Sequence, residues 1–216
     1  MTNRVLFIVL FVVIGIFGFI VLIDASKPTP EESQARHEWK SDSYPANTLP
    51  SNVIVWTDDA EIHWSDFEAE KAYNPLKKGF SQVVNFDLFH VDCLNETYEV
   101  IAYFDKSKSW ASLSEIDPDT RDYELRFVNL QLQVAELQAQ KLRNFLYPIE
   151  NLCDYGYMNI NPVIERREDE AINMLNHILS EILENPEEKF PYYEQRVREW
   201  QEDAKAKYEE MENAGK

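Results

Sequence analysis

The feature that most constrains the fold of this sequence is a long amphipathic stretch from Tyr123 to Leu146. Its apolar residues recur alternately three and four positions apart, which places them on one side of an α-helix. Good helix formers from Ala135 onward and the absence of Gly and Pro favour a helix, although Leu125 to Val134 also shows a partial strand-like alternation. The predicted apolar stripe consists of Leu125, Val128, Leu132, Ala135, Ala139, Leu142 and Leu146, opposite a face of Gln, Asn and Arg.

Strand-like patterns precede this helix. The segments Phe80–Asp92 and Glu96–Asp105 alternate in polarity and are joined by the turn Cys93–Thr97, so they predict a β-hairpin. Asn52–Thr57 has the β-branched and aromatic content of a first strand. We therefore expect an α+β fold, with a small, mostly antiparallel sheet between Asn52 and Asp105 packed against about three helices.

Two further helices are predicted after the long one. A turn-rich connection, Tyr147–Pro162, leads to apolar residues at helical spacing over Val163–Leu183 and, beyond Pro186, over Glu187–Met211. The last helix has an acidic face that is typical of a solvated surface, although it could also bind a basic partner or a cation. That face carries Glu202, Glu209, Glu210 and Glu212.

The amino-terminal region predicts a membrane segment. Val5–Ile23 is an apolar run without a charge, long enough as a helix to cross the hydrocarbon core of a bilayer. We expect residues 1–24 to be a retained anchor, with cleavage after Ala25 as the alternative. Residues 25–50 are rich in Pro, Ser and charged residues and predict a flexible linker, which leaves 51–216 as the folded domain.

Charge and composition exclude some classes of protein. The net charge of −18 would repel phosphate, so we expect no nucleic-acid partner. The chain has only five Gly, in an arrangement that offers no phosphate-binding loop of either common type, and we predict no cofactor.

A few residues could carry chemistry. His90 and Asp92 lie two positions apart, hence on one face of a regular strand, where they could ligate a metal or form an acid/base pair. A strand-end His bonded to a neighbour is the commoner case, so we predict no metal site. Cys93 and Cys153 are the only cysteines; they could form one disulfide outside the cytoplasm or remain two thiols.

Three segments also carry a resemblance. In order they are W-S-D-F at Trp64–Phe67, F-D-K-S-K-S-W at Phe104–Trp110 and A-E-L-Q-A-Q-K-L-R at Ala135–Arg143. This order resembles the domain of unknown function 922 family, secreted bacterial proteins that look like zinc-dependent proteases. The match covers roughly residues 53–146 and implies a metalloprotease-like domain in the periplasm.

The resemblance also implies that the zinc chemistry is lost. Alignment on the third segment puts the family's H-E-x-x-H positions at Phe127–Gln131, so Phe127 and Gln131 replace the zinc ligands and Val128 replaces the general base. Glu136 matches an acidic family position and could be a remnant. No shift of the alignment restores the His pair, because no His occurs between His90 and His177.

The sequence thus predicts a membrane-anchored, extracytoplasmic protein with an inactive, protease-like domain that binds a protein or a peptide. The alternative is an active hydrolase that uses a non-standard site built from His90, Asp92 or Glu136. A third hypothesis is self-association in the membrane through the acidic helices.

Overall fold

The computed structural model describes residues 49–70, 79–92, 97–150 and 152–214. The predicted anchor, nearly all of the predicted linker, and Cys93 lie outside these ranges. Within them, no helix is both long enough and apolar enough to cross a membrane.

The described part of the chain has an α+β fold with a small antiparallel sheet, as the sequence predicts. The strands are short and the helices long. In chain order the elements are β1 (Val53–Val55), β2 (Phe80–Ser81), β3 (Val84–Asp92), β4 (Thr97–Asp105), β5 (Trp110–Ala111), α1 (Arg121–Leu146), α2 (Leu152–Tyr155), α3 (Tyr157–Glu184) and α4 (Pro186–Ala214).

Strand β4 lies between β1 and β3, and both pair with it in antiparallel fashion. The predicted hairpin is confirmed as β3 and β4, but the predicted strand Phe80–Asp92 is in fact two strands. Its first residues, β2, pair instead with β5 in a separate ribbon. The break falls at Val83, whose N–H donates to Ser109 Oγ at 2.9 Å and whose carbonyl accepts from the Asp105 N–H at 2.8 Å.

The end of strand β3 departs from the predicted alternation. The pairing shifts between Phe89, opposite Glu99, and Asp92, opposite Thr97. His90 lies in this bulge with a φ of 52°, a left-handed conformation that is uncommon outside Gly. The assumption that His90 and Asp92 share the face of a regular strand is therefore wrong. Among the described residues, no group of three or more His, Cys, Asp or Glu could hold a metal ion.

Helix α1 is the centre of the core, and the prediction of a helix rather than a strand is confirmed. Its predicted stripe packs on the sheet: Val128 and Leu132 contact Ile62 and Phe104. The expectation of one polar face is wrong, because Leu130 and Val134 are also fully buried, against α3 and α4. A helix packed between a sheet and two helices needs apolar side chains on both sides.

Helices α3 and α4 complete the fold. The predicted turn-rich connection is partly helical: α2 ends before Gly156, whose φ of 81° suits Gly, and α3 begins at Tyr157. Helix α3 tolerates Pro162 because this residue lies near its amino-terminal end, where the carbonyl that loses its hydrogen bond can be solvated. Helix α4 begins at the predicted break, Pro186, and runs in the same direction as α1.

A fully buried amide lies on α1. Gln138 has no exposed surface, and neither its side-chain oxygen nor its nitrogen has a hydrogen-bond partner. A buried amide without a partner loses its hydrogen bonds to water without compensation. Gln138 is therefore a source of instability in the fold.

We expect Gln138→Met to raise the free energy of unfolding by about 1–3 kcal/mol, because Met fills a similar volume without a polar group. Urea denaturation followed by circular dichroism measures the change. The matched control is Gln195→Met on the exposed side of α4, which should change stability by less than about 0.5 kcal/mol. A destabilised Gln138→Met variant would contradict the prediction and indicate that an internal water satisfies the amide.

Candidate functional site

The positions that align with the zinc-binding motif are occupied by packing and by hydrogen bonds. Val128 is fully buried against the sheet. Phe127 packs instead on the cluster formed with α3 and α4. Gln131 is buried and accepts a hydrogen bond from Gln82 Nε2 at 3.1 Å. These side chains point to different parts of the core, so the structure does not bring them together in one cleft.

The first two of the three segments that carry the resemblance contact each other. Asn129 of α1 holds the backbone just before W-S-D-F: its Oδ1 accepts from the Ile62 N–H at 2.8 Å, and its Nδ2 donates to the Ile62 carbonyl at 3.0 Å. Phe67 packs on Phe104 with ring centroids 5.2 Å apart. Lys106 Nζ lies 2.7 Å from Glu68 Oε1. The first two segments therefore form one structural unit beside the amino-terminal half of α1, while the third segment lies in the carboxyl-terminal half of this helix.

The acidic residues of these segments stabilise local turns. Asp66 Oδ2 accepts from the His63 N–H at 2.8 Å and so caps its own short 3-10 turn. Asp105 is fully buried and accepts from Ser107 Oγ at 2.6 Å and from the Lys108 N–H at 3.2 Å.

Glu136, the predicted remnant, is held in an ion pair on α1. Only 5% exposed, it lies 2.7 Å from Arg143 Nη1, and Gln140 Nε2 donates to the same carboxylate oxygen at 2.8 Å. Among the described residues, no histidine hydrogen-bonds to Glu136 or forms an ion pair with it. This carboxylate therefore orients Arg143.

Arg143 extends from Glu136 to the edge of the sheet. Its Nε donates to the Val100 carbonyl at 3.1 Å, and its Nη2 donates to the same oxygen. That carbonyl lies on the side of β4 that faces away from β3, which we call its outer side. Strand β1 pairs with this side only at the far end of β4, and its last hydrogen bond there runs from the Trp56 N–H to the Ala102 carbonyl at 2.9 Å. Between Thr97 and Ile101, no strand of the described chain pairs with this side of β4.

A cleft of about 530 Å³ lies along this open edge. It is lined by Thr97–Ile101 of β4, Arg143 of α1 and Tyr208 of α4. Alternate residues of an antiparallel strand direct their backbone groups to the same side, so Tyr98 presents its peptide groups here together with Val100. We call this space the β4 cleft.

Aromatic hydroxyls gather at one end of the β4 cleft. Tyr147 and Tyr208 are in edge-to-face contact, with centroids 5.1 Å apart. Burial, followed by the neighbouring phenols of Tyr208 and Tyr147, raises the pKa of Tyr98 to about 12. The cleft thus combines an open strand edge, a guanidinium and a tyrosine cluster. The sequence did not indicate it, since the only signals were an Arg at the end of α1 and scattered tyrosines.

Alkaline pH is expected to destabilise the fold. Burial is the main reason why the pKa values of Tyr98, Tyr103 and Tyr193 are raised to about 12, above the ordinary tyrosine value of about 10. Because the pKa of each phenol is higher in the folded chain than in the unfolded chain, keeping these phenols neutral stabilises the fold. This stabilisation is complete below pH 10 and is lost as the pH rises towards about 12.

Ultraviolet absorbance of phenolate and circular dichroism, recorded together against pH, test this prediction. We expect some phenols to ionise only at the pH at which the circular dichroism signal of the fold is lost. The Tyr98→Phe variant should show one fewer of these late-ionising phenols than wild type. Ionisation of every tyrosine near pH 10 in a chain that keeps its native circular dichroism would contradict it.

The remaining predicted residues lie elsewhere. Cys153, in α2, is disulfide-bonded, while its predicted partner Cys93 lies outside the described residues. His90 is exposed in the β3 bulge. The chain matches no protein-family model, no curated protein and no solved structure, so a functional assignment depends on the geometry above.

Proposed function

We propose that this chain is a membrane-anchored, extracytoplasmic binding protein that holds an extended protein or peptide segment in the β4 cleft. The observation that supports the proposal is the open outer edge of β4 beneath Arg143 and Tyr208. An exposed strand edge binds an extended peptide by adding it to the sheet, through backbone hydrogen bonds.

The side chains around this edge suit such a ligand. Tyr and Arg are the residues that most often dominate the energetics of protein interfaces. Tyr98 and Tyr208 supply aromatic surface, and Arg143 is already oriented by Glu136. Little conformational freedom of Arg143 would be lost on binding, which favours affinity.

The surroundings of α1 support binding rather than catalysis. A protease-like scaffold would need ligands and a base at Phe127–Gln131, and this part of α1 packs into the core instead. Glu136, the possible remnant of the family's site, forms an ion pair with Arg143. We therefore propose a pseudoenzyme related to the domain of unknown function 922 family.

The proposed location depends on residues 5–23 as a single membrane anchor. Disulfides persist in oxidising compartments, so the disulfide of Cys153 supports a domain outside the cytoplasm, in the periplasm if the source is bacterial. Proteolysis of intact spheroplasts tests the topology. Digestion of the domain from outside is the expected result, and protection would contradict the extracytoplasmic location.

Peptide binding can be tested with an array of overlapping ten-residue peptides, followed by fluorescence anisotropy on those that bind. We expect Tyr208→Ala to weaken binding by about 30-fold, the effect of losing an interface anchor of about 2 kcal/mol. The matched control is Tyr192→Ala, which removes a tyrosine that is 52% exposed on the same helix.

Several outcomes would overturn this proposal. One is that no peptide binds with a Kd below about 1 mM, which corresponds to a binding free energy of only about 4 kcal/mol. Another is that Tyr208→Ala binds a peptide with the same affinity as wild type. Cleavage of casein by the domain, abolished by a chelator after incubation with zinc, would support the alternative of an active hydrolase.

A further inference from the structure

A second groove lies between the helices. Its walls come from α1, α3 and α4, and its volume is about 640 Å³. This volume falls in the range of about 300–1,000 Å³ that is typical of small-molecule sites. The groove shares no lining residue with the β4 cleft.

The charge of this groove is opposite to that of the chain. The whole protein has a net charge of −18, yet Lys141, Arg167 and Lys207 line this one groove. Asp203 is the acidic residue among the lining residues, and Glu170 accepts from Arg167 Nη1 at 2.6 Å. The lining therefore retains an excess of positive charge that attracts an anion.

One hydrogen-bond donor at the groove has no partner. Arg167 Nε is buried and makes no hydrogen bond, although Arg167 lines the groove. Lys141 is half-buried, with no ion pair within the described chain, and this burial lowers the pKa of its ammonium group. A bound anion would compensate the desolvation of both Lys141 and Arg167.

The rest of the lining is apolar. Phe145 of α1, Met174 of α3 and Trp200 of α4 form its walls beside the cations. A purely inorganic anion would leave this surface in contact with water. A ligand with an anionic head and an apolar body would cover it and gain the free energy of burial.

We infer that the groove between α1, α3 and α4 binds a single-chain anionic amphiphile. The carboxylate or phosphate head pairs with Lys141, Arg167 and Lys207, and the alkyl chain packs on Phe145, Met174 and Trp200. A free fatty acid and a lysolipid share this chemistry. This activity is independent of peptide binding in the β4 cleft.

Titration of the domain with dodecanoate, with lauroyl lysophosphatidate and with neutral dodecyl maltoside tests this inference. All are used below the concentration at which they form micelles, and binding is followed by calorimetry. We expect both anionic probes to bind and the neutral probe to bind at least about tenfold more weakly. A preference between the two anionic probes identifies the source of the head group.

Matched variants locate the site. Lys141→Gln with Lys207→Gln should weaken binding of the anionic probes at least about tenfold. The control, Arg198→Gln with Lys205→Gln, removes the same charge from exposed positions of α4 outside the groove. Its affinity should stay within about twofold of wild type.

A second readout does not depend on charge. Dodecanoate brominated near the end of its chain should quench Trp fluorescence, and Trp200→Phe should remove most of this quenching. Equal affinity for the neutral probe, an equal effect of both double variants, or quenching that persists in Trp200→Phe would each overturn the inference. Peptide binding in the β4 cleft should be unchanged in Lys141→Gln with Lys207→Gln, so this proposal and the previous one can fail separately.

Discussion

Replacement of Arg143 with Met is expected to lower the free energy of unfolding by about 3–5 kcal/mol. The substitution leaves the Glu136 carboxylate, only 5% exposed, without its cationic partner. It also removes the donors that satisfy the Val100 carbonyl at the open edge of β4. Urea denaturation of wild type and variant measures the difference.

A double variant separates the cost of the unpaired carboxylate from the loss of side-chain packing. Arg143→Met combined with Glu136→Met should be more stable than Arg143→Met alone, because no buried charge remains. The control is Arg126→Met, which breaks the more exposed pair with Glu194 and should cost no more than about 1 kcal/mol. A loss of less than about 1 kcal/mol in Arg143→Met would show that water solvates Glu136 adequately.

Loss of the disulfide is expected to have an effect of similar size. If Cys153 pairs with Cys93, the bond closes a loop of about 60 residues and should stabilise the fold by about 4 kcal/mol, mainly by restricting the unfolded chain. Urea denaturation with and without a reductant measures this difference. The double substitution Cys93→Ser with Cys153→Ser should reproduce the reduced protein.

Alkylation without a reductant provides the control for this prediction. The native protein should show no mass shift, because Cys153 is disulfide-bonded. A mass shift that corresponds to two free thiols would refute the disulfide. An intact disulfide whose reduction leaves stability unchanged would instead contradict the expected stabilisation.

Several elements could be predicted because their signals are local. The three-and-four spacing from Val128 to Leu146 indicated α1, and the turn between two alternating runs indicated β3 and β4. Pro186 marked the start of α4 because a proline ring prevents continuation of a helix. In each case the information lies within a few neighbouring residues.

Other elements were predicted wrongly because distant residues decide them. Gln131 and Gln138 were assigned to a polar face, but both are buried in the fold, Gln131 beside Gln82. The alternation at the end of β3 did not indicate the bulge, which depends on the pairing with β4. Val83 breaks a continuous strand pattern because it bonds to Ser109 and Asp105.

The sequence by itself determined the long apolar stripe of α1, the hairpin, and the absence of any histidine between His90 and His177. These depend on residue type and local spacing alone. Only the tertiary structure decided that Glu136 orients Arg143, that β1 leaves half of β4 open, and that Lys141, Arg167 and Lys207 share one groove. Such sites are formed by side chains far apart in the chain, and they meet only when burial of apolar surface fixes the packing of the elements.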